Sequence, residues 1–311
     1  MTAALLPRVH RLPCCRRAFV RAILCACALP LLGTLPASAD DAEIARLLKG
    51  KGVEVTETKG KITALTVPDG TRLTDDDFRQ LGRLEHLRTL SVNKGLTNER
   101  LTLLSGLTAL EYLQTNLMDV TDDGLKPLGR LTNLQNVKFF HPGKEFTGTG
   151  LAHLSGLPKL ERLTVAGSLA VNDDGMAAVA KLTGLREFRM WHAGPTQEGV
   201  KKLKELPRLK SLHLGQRLTY KPPACPTDET IGLLAEFQSL ETLQLDEARL
   251  TRQALQQLKQ LPGLKKLTLG GIDIPPEEIE RLKKDLPGVT VEWTEPSDAY
   301  RKRIRALFGD K

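Results

Sequence analysis

The 311-residue sequence predicts an α/β solenoid: a curved horseshoe with a parallel β-sheet on its concave face and short helices on its convex face. Three observations carry that class. A leucine frame, L-x-x-L-x-L, opens nine times, at Ile62, Leu87, Leu110, Leu134, Leu160, Leu185, Leu209, Leu240 and Leu264. The frames follow one another at intervals of 23 to 26 residues, except for one of 31 after Leu209. A fixed period in the twenties marks stacked repeats. Each frame is followed by a turn, usually a Thr, and leucines three apart, as in Thr121, Leu125, Leu128 and Leu131. The composition agrees, being 41% hydrophobic but only 4% aromatic, as a core of stacked aliphatic side chains requires. In such an array each unit buries its apolar face against its neighbours and leaves one broad surface open.

The elements follow in chain order. Residues 1–39 read as an export signal. Arg8, Arg11, Arg16, Arg17 and Arg21 precede an apolar run from Ala22 to Leu32, which is shorter than the ~18–20 residues of a membrane span. Ala37-Ser-Ala39 then supplies a small-x-small cleavage pattern before Asp40. The stretch Cys15-Arg16-Arg17-Ala18-Phe19 resembles the twin-arginine motif, with Cys15 in place of Ser or Thr, and both that route and the ordinary secretory one fit. Residues 40–61 read as an N-terminal cap, a short helix from Ala42 to Leu48 followed by strand that turns at Lys59-Gly60. Residues 62–288 hold the nine repeats. In each, the alternating end of the frame predicts a strand. The Thr or Asn at 74, 97, 121, 147, 172, 196, 227 and 251 predicts a helix N-cap. The acids that follow, such as Asp122-Asp123 and Asp173-Asp174, suit the positive end of the helix dipole. Leu-Pro pairs at 157, 206, 261 and 286 end the helices, because proline pushes the preceding residue out of helical geometry. Residues 289–311 read as a closing strand with Trp293 over the core, then a basic, solvated tail.

The charge and the cysteines shrink once the leader is set aside. Residues 1–39 take five of the 45 basic residues and no acid, so 40 bases and 37 acids remain, a net charge of +3. That balance argues against a nucleic-acid binder. Four of the five cysteines lie in the leader, which leaves Cys225 alone and no disulfide within one molecule.

The repeat phrase resembles that of the leucine-rich-repeat superfamily over residues 62–288, and the strand-plus-helix unit looks like that of exported bacterial members. The chain departs from the family at the turn. Where the family often places Asn or Cys in a buried ladder, this sequence has Gly95, Met118, Pro142, Ser168, Ala193, Ala248 and Ile272. The resemblance implies a curved solenoid that binds macromolecules on its concave sheet.

Candidate contact residues come from the outward strand positions, two, four and six residues after each frame start. Large and basic side chains crowd the middle repeats: Tyr112, Lys138, Phe140, Arg162, Arg189, Trp191 and His213, with His192 just beyond its strand. Exposed Trp, Tyr and Arg are the residue types most enriched at binding hot spots. The alternative is a shifted register, in which Phe139 and Met190 face out and Phe140 and Trp191 face in. The longer seventh repeat adds a candidate rim at Tyr220 and Cys225. No constellation points to catalysis, a metal or a cofactor: Cys225 has no encoded base beside it, and His141 and His192 stand two strands apart, roughly 10 Å. The expectation is an exported, non-enzymatic, monomeric protein with no membrane span in its mature part. It binds a protein or other macromolecule; a structural envelope component assembling through its repeats is the alternative, and an enzyme-targeting effector a weaker one.

Overall fold

The computed structural model describes residues 41–216 and 225–309. The leader at 1–39 and the Tyr220 rim lie outside the described residues. Eleven strands form one sheet in sequence order: β1 Glu54–Thr58, β2 Lys61–Val67, β3 Thr89–Asn93, β4 Tyr112–Asn116, β5 Asn136–Phe140, β6 Arg162–Ala166, β7 Glu187–Trp191, β8 Ser211–Gly215, β9 Thr242–Asp246, β10 Lys266–Gly270 and β11 Thr290–Thr294. β1 and β2 are an antiparallel hairpin. Every later pairing, from β2 to β11, is parallel. α1 Asp41–Gly50 precedes the hairpin; between successive strands run α2 Asp75–Leu81, α3 Asn98–Leu103, α4 Asp173–Ala180, α5 Gln197–Lys202, α6 Asp228–Leu234, α7 Arg252–Leu255 and α8 Pro276–Asp285; α9 Asp298–Phe308 follows the last strand.

The core is the leucine columns. Leu90, Leu113, Val137, Leu163, Phe188, Leu212, Leu243 and Leu267 stack one strand apart, all buried. Thr115 takes one inward place, fully buried, and its hydroxyl meets the Met118 sulfur at 3.2 Å. Met118, Pro142, Ser168, Ala248 and Ile272 are buried at the turn. Mostly apolar filling therefore stands where the family's polar ladder would be.

A different ladder joins the repeats. The sequence assigns the acids after each Thr to the helix dipole, but three of them, Asp122, Asp173 and Asp228, reach across to the next repeat. Asp122 accepts from the Thr147 amide (2.9 Å) and hydroxyl (2.7 Å), and from the Gly148 and Gly150 amides. Asp173 holds Thr196 in the same way, and Asp228 holds Thr251. Asn98 does so for Thr121, and Gln197 meets the Thr227 hydroxyl. Burial alone would raise the Asp122 carboxyl. The Thr147 hydroxyl and the Gly150 and Thr147 amides outweigh it and hold the group below the usual carboxylate range. The glycines opposite make the close approach feasible. A Cβ on Gly150 would lie 2.2 Å from the Asp122 carbonyl oxygen, and one on Gly124 would strike the Asn98 side chain.

Two other expectations change. Thr74, Thr97, Asn172, Thr196 and Thr251 cap helices with their side-chain oxygens. Thr121 and Thr147 do not, because the third and fourth repeats carry 3₁₀ segments, Asp123–Arg130 and Thr149–Leu154. Pro127 removes a donor inside the first, and the second follows Gly148 at φ 92°. The C-terminal tail is also not a free solvated end. Its α9 packs back on the array: Arg301 pairs with Asp273 at 3.2 Å, Tyr300 covers Gly271, and Arg249 donates to the Phe308 carbonyl. Trp293 half-covers the last core layer and donates to the Ile272 carbonyl at 2.9 Å.

Candidate functional site

The register decides which side chains are available. In β5, Val137 and Phe139 are buried and Asn136, Lys138 and Phe140 face out; in β7, Phe188 and Met190 are buried and Glu187, Arg189 and Trp191 face out. The shifted register is therefore not adopted. Inside, Phe139 packs on Phe146 with ring centroids 5.6 Å apart.

The outward residues of the middle strands form one continuous group. Phe140 and Trp191 belong to strands two steps apart, yet their ring centroids are 5.9 Å apart and tilted by 53°. They meet because β6 presents only Ala166 between them, in register with both, and Ala166 is covered. Trp191 leans the other way over Gly215, where a Cβ would lie 2.9 Å from its own. It stacks on His213 with centroids 5.0 Å apart and planes 20° from parallel. His213 is 7% exposed, so this candidate is a support beneath Trp191 rather than a contact surface. Its Nε2 lies 2.5 Å from Asp246 Oδ2, and its Nδ1 accepts from Arg189 Nε at 3.4 Å, which fits the tautomer with its proton on Nε2. Gln244 also donates to Asp246, at 3.0 Å.

Cations frame the rings. The Arg189 guanidinium stands 5.9 Å from the Trp191 centroid, and Lys138 Nζ 5.2 Å from that of Tyr112. Such contacts are worth about 0.5–1 kcal/mol at exposed sites, enough to bias side-chain placement. The Tyr112 hydroxyl donates to Gln114 at 2.7 Å. The Arg162 side chain is exposed and makes no hydrogen bond or ion pair among the described residues. Thr164 lies between Lys138 and Arg189 in register and is buried although it points outward.

The strand ends add residues that the alternating pattern does not reach. The residue after a strand takes a left-handed backbone at Lys94, Leu117, His141, Gly167, His192, Glu247 and Gly271. At this edge Leu117 is 47% exposed and Leu169, in the turn after β6, is 63% exposed. For Leu117, a large apolar side chain in a place otherwise held by Lys, His, Glu or Gly was the available signal. His141 bonds Asn116 at 2.9 Å, and half-buried His192 lies 3.8 Å from Glu247. His141 and His192 thus make separate contacts, and among the described residues no cluster of His, Cys, Asp or Glu could hold a metal ion. Cys225 packs against the core, and burial pushes its thiol up to about 12, so it is a poor nucleophile at neutral pH.

Among the described residues no helix is long and apolar enough to cross a membrane. No family model matches the chain, and no curated protein matches it. Similar solved structures include two internalins from Listeria monocytogenes str. 4b F2365. The internalin inlF is 20% identical, with 70% of each chain covered and a TM-score of 0.44. Internalin C2 (inlC2) is 18% identical, covering 82% of this chain and 93% of that one, with a TM-score of 0.43. By its own recurring leucine frame, its open run of parallel strands and the short helices behind them, the chain is a leucine-rich-repeat solenoid.

Proposed function

We propose that this chain is an exported, non-enzymatic protein that binds another protein through the open face of its sheet. The observation that carries this reading is the group around Trp191: Phe140, Trp191 and Arg189 gathered with Lys138, Arg162 and Tyr112 on outward strand positions of an aromatic-poor chain. A lone soluble solenoid gains little from placing large rings on its solvent face, whereas Trp, Tyr and Arg are the types most enriched among the few residues that dominate protein interfaces. Leu117 and Leu169 extend the apolar surface along the strand ends. Export is supported by the arginine-led apolar leader at residues 1–39 and by the lack of any cysteine but Cys225 after it.

The test is affinity capture from an extracellular extract with the wild type and with the Trp191→Ala, Arg189→Ala double variant. The double variant is expected to lose the specific partner while keeping its circular-dichroism spectrum. Equal recovery of every captured protein overturns the open-face reading.

A further inference from the structure

Cations on the open face are not balanced evenly. Toward the C-terminal end, Lys266 lies 2.8 Å from Glu292. Just before the strands, charges are matched between neighbouring repeats: Arg88 with Glu111 at 3.2 Å, Arg186 with Glu161 at 3.0 Å, and Glu241 between Lys210 and Lys265. The three central strands differ. Lys138 on β5 and Arg162 on β6 have no carboxylate within ion-pair distance among the described residues, and Arg189 on β7 has only Glu187, at 3.9 Å. Asp246, another acid of this face, is engaged by His213 and Gln244, and Glu247 lies 3.8 Å from His192. The rings of Phe140 and Trp191 lie along the same strands, toward their C-terminal ends.

We propose that this patch receives an extended acidic segment of a partner protein, with carboxylates on Lys138, Arg162 and Arg189 and a neighbouring apolar side chain on Phe140 and Trp191. The proposal rests on the open-face reading and names the chemistry of its partner. Charge complementarity and spacing argue for it. Lys138 and Arg189 stand two strand steps apart, about 10 Å, with Arg162 on the strand between. An acid-x-acid stretch puts two carboxylates on one side of an extended chain about 6.7 Å apart, within reach of such long side chains. A nucleic-acid backbone fits less well, because Glu187 and Asp246 on the same face oppose a continuous polyanion and only three cations are offered.

The full chain is titrated against immobilised short synthetic peptides carrying Glu-x-Glu beside Leu or Phe, with matched Gln-x-Gln and Lys-x-Lys versions. The Glu peptides are expected to bind at least about tenfold more tightly than the Gln versions, and the margin is expected to shrink as salt rises from about 50 to about 300 mM. The Lys138→Gln, Arg162→Gln double variant is expected to lose that margin. Among the described residues the Arg162 side chain makes no hydrogen bond or ion pair and the Lys138 side chain only its ring contact, so the double variant keeps its fold. Equal binding of Glu and Gln peptides, or an unchanged margin in the double variant, overturns the proposal. A short single-stranded DNA that displaces the Glu peptide at lower concentration than the peptide itself also overturns it. Binding that ignores peptide charge but disappears in Trp191→Ala overturns the acidic class and leaves the open-face reading standing. Binding indifferent to all these substitutions removes both.

Discussion

Cys225 shows how one side chain's surroundings decide its chemistry. Sequence alone reads it as a lone, partly buried thiol in a longer repeat, with pairing or reaction as the alternative. In the fold it packs on the core beneath Thr230, whose hydroxyl lies 3.6 Å from the sulfur. Desolvation pushes the thiol up to about 12, so almost none of it is thiolate at pH 8. Iodoacetamide is therefore expected to label native Cys225 at least about 100-fold more slowly than the urea-unfolded chain, whose thiol titrates near about 8.5. Mass spectrometry of timed aliquots reads the rate; comparable rates would show that the thiol is accessible and ionised. His213 gives the complementary lesson. Its outward position is legible from the frame, because a strand alternates sides and the leucines mark the inner one. Its burial is not, because that depends on Trp191 leaning over Gly215, a contact between residues 24 positions apart in sequence. Leu117 and Leu169 escaped for another reason: they sit in turns, where the two-residue period no longer says which way a side chain points.

At the scale of the element, Asp122, Asp173 and Asp228 each tie their repeat to the Thr of the next. That role was hidden in the sequence because a cap and a cross-repeat acceptor use the same residue types; only the stacking register tells them apart. Asp122 is the fullest case, with four donors from the next repeat. Its folded carboxyl is held below the unfolded value of about 3.9, so its contribution is fully present above that pH and is lost as pH falls through the folded value. Asp122→Asn is expected to cost about 1–3 kcal/mol at pH 7, and the gap to wild type should close below about pH 4. Urea melts at pH 7, 5 and 3 measure it, and a gap that does not change with pH would place the cost elsewhere. The facing glycine makes a separate demand. Gly150→Ala drives a Cβ into the Asp122 backbone and is expected to cost at least about 1–3 kcal/mol. Gly156→Ala has open space and should be close to neutral, which makes it the control in the same melts. The 3₁₀ segments had a visible cause in Pro127, Gly148 and Gly150, but the regularity of the leucine frame argued for helix everywhere.

At the scale of the whole molecule, every strand pairs only with its sequence neighbours, so disturbance should spread by proximity along the array rather than through a shared centre. The C-terminal cap offers a direct measurement. Ending the chain after Gly288 removes β11, the Trp293 cover and the docking of α9 through Tyr300 and Arg301. It leaves β10 as a bare parallel edge and uncovers the last layer of Leu267, Leu269 and Ile272, all fully buried in the intact chain. An exposed edge with an apolar layer beside it pairs with another copy. The truncated chain is expected to self-associate with concentration in sedimentation velocity. Hydrogen exchange should quicken in β9 and β10 and stay slow in β2, β3 and β4. Equal loss of protection from β2 to β10 would mean that the strands open as one cooperative unit. The neighbour-only account of this array would then fail even though the static pairing is unchanged.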